Sequence, residues 1–172
     1  MVEERQRDKK NSLDSKTRKT MKEQNEKLFT VFDLEGEEYG ISVDMMDEIV
    51  RDVDISRIPG SPENVLGATN LRGEVIPVID LKNLLSLGRT SDEVQDTMIV
   101  QMKEQKFAAP VDRLKDIVST KKEQLVDPSN ITNLDDEKLK WIIRLEGTRS
   151  IRVVNIRKLA KEVGNLDIQT DK

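Results

Sequence analysis

A chain of 172 residues with 36% charged and 35% hydrophobic side chains, at a mean hydropathy of −0.59, suits one domain or two small subdomains sharing a core. It has no cysteine and no histidine, which excludes disulfides, thiolate metal sites, thiol chemistry and the usual general base near neutral pH. The net charge of −4 is unevenly spread: residues 1–27 hold nine Lys/Arg against six Asp/Glu, and the remainder holds 20 basic against 27 acidic residues.

Residues 1–27 contain no aromatic side chain, and mixed charges fill the place where a signal peptide needs an apolar segment. They cannot bury enough apolar surface to offset the entropy of ordering, so a disordered tail is expected, a solvated spacer more than a nucleic-acid-binding arm. No run approaches the ~20 apolar residues of a membrane span. The expectation is a cytoplasmic chain without direct membrane insertion.

Order begins at Leu28. The stretch "LFTVFDLEGEEYGISV" has apolar runs on both sides of Glu35-Gly36-Glu37, the pattern of a β-hairpin. The stretch "TMIVQMKEQKFAAPV" has the same shape around Glu104-Gln105. At a spacing of 68 residues Tyr39 meets Phe107, Val43-Asp44 meets Val111-Asp112, and Ile49-Val50 meets Ile117-Val118. The second halves also correspond, "ATNLRGEVIPVIDLKNLLSLG" with "WIIRLEGTRSIRVVNIRKLAKEVG", after one inserted residue in the turn. Gly73 then meets Gly147, and Asp80 meets Asn155.

Asp80 and Asn155 are expected N-caps of a closing helix in each unit, with Gly88 and Gly164 as left-handed C-terminal caps. Asp44 and Asp112 are expected to cap a helical turn midway. Each unit thus reads as about five short strands, a turn of helix and a final helix. The expected fold class is mainly β, as two small barrels packed side by side with a groove between them. The stretch 119–140 is the least regular, broken at Asp127-Pro128 and Asn130.

Several residues invite a functional reading. Arg72 sits beside Gly73 at a hairpin corner, either as a solvated turn residue or as a fork of donors for a partner's carboxylate or carbonyl. Phosphate-binding glycine motifs are missing from the chain. Pro77 cannot donate a ladder hydrogen bond, so its strand is expected at an edge or with a bulge. Asp47-Glu48 and Asp135-Asp136-Glu137 suit solvation or capping better than acid–base catalysis, and no Ca²⁺-loop spacing occurs. Met45, Met46, Leu114 and Ile117 are core residues or, alternatively, an adaptable apolar groove. Trp141 is expected in the core. At 3% aromatic residues, stacking platforms for nucleic acid are poorly supplied, and the acidic body repels phosphate. No metal or cofactor is expected.

"FDLEGEEYGISVDMMDEIV" followed by "ISRIPGSPENVLGATNLRGEVIPVIDL" resembles the CheW-like domain of bacterial chemotaxis coupling proteins, and the resemblance runs from Leu28 to about Asn165. It implies two five-stranded Src-homology-type barrels around a shared hydrophobic centre. The expected organisation is a tail over 1–27, a CheW-like domain over 28–165 with units of about 28–90 and 95–165, and a C-terminal tail over 166–172.

The implied role is a non-enzymatic adaptor between chemoreceptor cytoplasmic signalling tips and the regulatory domain of the histidine kinase CheA, recruited to membrane receptor arrays and able to join rings with CheA. Carried over by position, the receptor-binding groove comprises Met46, Glu48, Gly67, Arg72, Leu114 and Ile117, with Val43 facing the kinase. The alternative is a small barrel that binds nucleic acid or another protein. The second unit departs from the first at Arg152, where the first has Pro77, and at Thr148-Arg149, which lengthens its turn.

Overall fold

The structure is a computed structural model and describes residues 25–91, 93, 96–131 and 137–164. Most of the expected tail over 1–27 and all of 166–172 lie outside these residues. The first hairpin pairs β1 (Lys27–Leu34) with β2 (Glu37–Ser42) around Glu35-Gly36. A single turn at 43–45 then leads into β3 (Met46–Arg51). A second hairpin, β4 (Val65–Leu71) with β5 (Glu74–Ile79), precedes the one-turn helix α1 (Leu81–Leu84).

The second unit repeats this order with β6 (Asp96–Met102), β7 (Gln105–Val111), β8 (Arg113–Thr120), β10 (Leu139–Arg144), β11 (Ser150–Val154) and α2 (Ile156–Val163). It adds a two-residue strand, β9 (Leu125–Val126), inside the irregular stretch.

The fold is mainly β, in two sheets. One has the order β8-β1-β2-β11-β10-β9 and the other β3-β6-β7-β5-β4. Under the 68-residue correspondence these are the same order, with β9 as an addition. The sheets are nevertheless not the two sequence units. The β1–β2 hairpin sits among strands of the second unit, and β6–β7 sits among strands of the first. The expectation of one barrel per contiguous unit is therefore corrected: the units exchange their first hairpins. Short parallel contacts make the exchange, β2 with β11 at Tyr39↔Arg152 and Gly40↔Val153, and β5 with β7 at Val78↔Ala108.

Two-sided burial explains why the strands read as almost unbroken apolar runs. On β6, Met98 and Val100 enter a central cluster shared by both sheets, while Ile99 enters the cluster belonging to the five-stranded sheet. On β5, Ile76 and Val78 face that second cluster and Ile79 the shared one. On β1 the alternation of side chains sends Phe29 and Val31 to the cluster of the six-stranded sheet and Phe32 and Leu34 to the centre. Trp141 is half-buried and packs on the cluster of the six-stranded sheet.

Three local expectations change. Pro77 is on an internal strand, between β7 and β4. Its partner Ala68 uses both main-chain groups on Ser56, at 2.8 Å each, so the pair Ala68↔Pro77 exchanges no bond and the missing donor points toward β7. Asp44 lies inside the midway turn, whose N-cap is Ser42, and Asp112 passes directly from β7 to β8 without a turn. Asp80 and Asn155 do cap their helices, accepting from the N–H groups of Asn83 and Lys158 at 3.2 Å each. Gly164 ends α2, but α1 stops too early for Gly88, and Ser86 takes the left-handed conformation after it.

Candidate functional site

The chain crosses between the sheets at two equivalent places, from β2 to β3 and from β7 to β8. Each crossing delivers an edge strand that begins against the shared core. Met45, Met46 and Leu114 are half-buried and pack on the central cluster there, as does Met102 at the end of β6. Beyond that rim the edge strands turn apolar groups outward: Ile49 on β3 and Ile117 on β8, the latter 58% exposed. These two isoleucines are repeat equivalents. Val75, next to the β4–β5 turn, is the third exposed large hydrophobic residue among the described residues.

The turn itself is Arg72-Gly73, with φ of 52° and 87°, the positive values that a type I′ connection requires at both positions. Gly73 adopts this without cost, and the Asn70 Oδ1 accepts its N–H at 2.9 Å. The corner aims the Arg72 side chain at β3, where its two terminal nitrogens donate to Glu48 Oε1 and Oε2 at 3.0 and 2.6 Å. The pair joins the two edges of the five-stranded sheet. Arg72 remains 76% exposed on its side chain, so a partner can reach the fork from outside.

The six-stranded sheet has a counterpart. Arg149, in the β10–β11 turn, donates to Asp116 at 2.9 Å, and Asp116 is the repeat equivalent of Glu48. Arg149 also holds Glu38 through two bonds of 2.9 and 3.1 Å, and Lys115 adds a third at 2.8 Å. The Arg149 hydrogen bonds, opposed by partial burial and helped by Lys115, hold the Glu38 carboxyl below its usual range. The guanidinium of Arg149 is correspondingly raised, first by Glu38 and then by Asp116. The lengthened turn thus presents its arginine to two carboxylates, where Arg72 engages one.

Gly67 is buried and serves the shape of the site more than its contact surface. A Cβ there would lie 2.1 Å from the Ser56 carbonyl oxygen, because the chain after β3 crosses directly over β4 and pairs Ser56 with Ala68. That crossing closes the five-stranded sheet. Val43 is half-buried in the midway turn. The structure brings Glu48 and Arg72 into contact and sets Met46 and Leu114 on one core, while Ile117 stands on the other sheet from Arg72.

Lys82 escaped sequence reading because a lysine on a short helix looks solvated. Its side chain is only 8% exposed, and its ammonium donates to Glu35 at 2.7 Å and pairs with Asp112 at 2.6 Å. Burial opposes its charge, yet the bonds to Asp112 and Glu35 outweigh burial and raise its pKa above the ordinary lysine value. Asp112 also accepts the Glu35 N–H at 2.7 Å. This cluster clamps α1 to the β1–β2 turn and to the β7–β8 crossing. Met102 was likewise missed, since nothing in its neighbourhood separates a strand-end methionine from a core one.

Among the described residues no group of three or more Asp or Glu side chains is arranged to hold a metal ion. A cavity of about 450 Å³ lies between Arg57, Ile58, Pro62, Val65 and Arg89, and none of the expected groove residues lines it. Residues 28–164 match the family model of the CheW-like domain. The chain belongs to the CheW-like domain family.

Chemotaxis protein CheW of Treponema pallidum is 32% identical over 143 residues, covering 78% of this chain and 84% of that protein. Chemotaxis protein CheW of Klebsiella aerogenes is 32% identical over 133 residues, covering 76% and 80%. The crystal structure of the scaffolding protein TtCheW from Thermoanaerobacter tengcongensis superposes with a TM-score of 0.70 at 31% identity, covering 77% of this chain and 91% of that one. A CheW-like chain of this kind is a scaffold or adaptor protein of chemotaxis and, by family, not an enzyme. No helix among the described residues is long and apolar enough to cross a membrane.

Proposed function

We propose that this adaptor couples the cytoplasmic signalling tips of chemoreceptors to the histidine kinase CheA, in the cytoplasm and at membrane receptor arrays. The observation that carries the reading is the pairing of an exposed, bidentate Arg72–Glu48 fork with a methionine- and leucine-lined rim on the shared core. A receptor tip is a helical hairpin, and a helix buries an apolar stripe in such a rim while polar groups set its register. Met46, Leu114 and the exposed Ile117 supply burial at about 25 cal/mol per Å². Arg72 and Glu48 supply register, and Gly67 keeps the closing strand seated beneath them. Val43, in the turn between the sheets, is assigned to the kinase side. Rings with the CheA regulatory domain use the remaining faces of the two sheets.

Co-sedimentation with receptor tips and CheA tests this. Arg72→Ala is expected to lose receptor binding while remaining folded, and Ile117→Glu to spare CheA binding measured without receptor. Normal receptor affinity of the first variant, or loss of both contacts by the second, contradicts the assignment. Binding of nucleic acid as the main activity is disfavoured by the surplus of acidic residues beyond residue 27.

A further inference from the structure

With no cysteine and no histidine, the softest nucleophiles in this chain are the thioethers of its six methionines. Four of them lie among the described residues, and the fold divides them. Met98 is 0% exposed inside the central cluster. Met45, Met46 and Met102 are half-buried on its rim. Met46 stands opposite Val100 in the β3–β6 ladder, and Met102 lies two residues further along β6. Such diagonal neighbours on one face of a sheet are about 7–8 Å apart. Solvent therefore reaches a small group of thioethers at the crossing between the sheets, and not the one beneath it.

We propose that Met45, Met46 and Met102 form a hydroperoxide-sensitive modification site that switches partner docking at this rim, an inference that rests on the receptor-docking reading above. A sulfur lone pair attacks the terminal oxygen of a hydroperoxide, so an S–O bond forms as the O–O bond breaks. The proton on the transferred oxygen passes to the departing alkoxide, which leaves as an alcohol (water, when the oxidant is hydrogen peroxide). Sulfur loses two electrons and the peroxide gains two. The product is a polar sulfoxide where the docking helix needs an apolar surface, and its oxygen would be buried without a donor. The Arg72–Glu48 pair is inert to this chemistry, so the switch acts on the apolar half of the site alone.

The test treats the full chain with hydrogen peroxide, maps each methionine by peptide mass spectrometry, and titrates the product with a chemoreceptor signalling-tip fragment. Met45, Met46 and Met102 are expected to gain one oxygen well before Met98, and affinity to fall about tenfold or more. Methionine sulfoxide reductases of both epimer specificities are expected to restore binding. The triple variant Met45→Leu, Met46→Leu, Met102→Leu, which keeps Met1, Met21 and Met98, is compared with itself and is expected to have the same affinity after peroxide as before it, whatever its starting affinity. Modification of Met98 as fast as the others, or undiminished binding of the oxidised chain, overturns the switch. If Arg72→Ala loses binding while peroxide has no effect, the switch alone fails. If neither change matters, the docking reading fails and takes the switch with it.

Discussion

A bidentate ion pair with one solvated partner, such as Arg72–Glu48, is worth about 0–1 kcal/mol to the free protein, because water already solvates the Arg72 guanidinium. The same arginine closed under a partner, with a carboxylate or carbonyl left unpaired by its removal, costs roughly 2–5 kcal/mol of binding. These magnitudes separate recognition from stability, so Arg72→Ala is expected to leave the urea midpoint nearly unchanged. Lys82 is the opposite case. Its ammonium is buried while Glu35 and Asp112 stay partly exposed, and Lys82→Ala is expected to cost about 2 kcal/mol in urea unfolding. Lys82→Met, which fills the space with apolar atoms, is expected to cost less. Equal stability of the wild type and the alanine variant would show that the clamp contributes nothing. Gly67→Ala forces a methyl group against the Ser56 main chain at a φ of 150°, and a loss of about 2–4 kcal/mol is expected by thermal unfolding.

The hairpin that ends each unit reaches across to its edge strand through one arginine, Arg72 to Glu48 and Arg149 to Asp116. The second latch also titrates. Glu38 has a folded pKa below its ordinary 4.5, so it stabilises the protein above that value and the contribution is lost as pH falls through the lower one. The stability gap between wild type and Glu38→Gln is therefore expected to be full at neutral pH and to close in acid, measured by urea unfolding across a pH series. A gap that does not change with pH would contradict the assignment. Sequence reading found the hairpins, because Leu34, Tyr39 and Phe107 mark the one that begins each unit and Gly73 and Gly147 mark the turn of the one that ends it. It expected Pro77 at an edge or a bulge, whereas the strand is internal and regular there, because a missing donor forbids a bond on one side of a strand only and the sequence does not say which side. Ser42 rather than Asp44 precedes the midway turn for a similar reason: two polar residues two apart both suit a cap.

For the whole molecule, duplication was legible and exchange was not. The spacing between Ile49-Val50 and Ile117-Val118, or between Asp80 and Asn155, shows a motif built twice. The alternation of apolar side chains is identical whether β1–β2 pairs within its own unit or with β11 and β8, so only the three-dimensional pairing distinguishes them. The site was legible in part. Arg72, Glu48 and Met46 stand in a contiguous, well-marked stretch, whereas Met102 and Lys82 acquire their roles from strands distant in sequence.

Hairpin exchange also predicts that fragments split after Ser91 do not fold alone but recover β structure when mixed, followed by circular dichroism. Independent folding of either fragment would contradict the exchanged topology.

The most direct measurement of the central claim is amide hydrogen exchange on the full chain with and without a receptor signalling tip. Protection is expected over β3, the Arg72-Gly73 turn and β8 from Leu114 to Ile117, with little change in β9 and β10. Protection confined to β9 and β10, with β3 and the Arg72 turn unaffected, would show that receptors dock elsewhere.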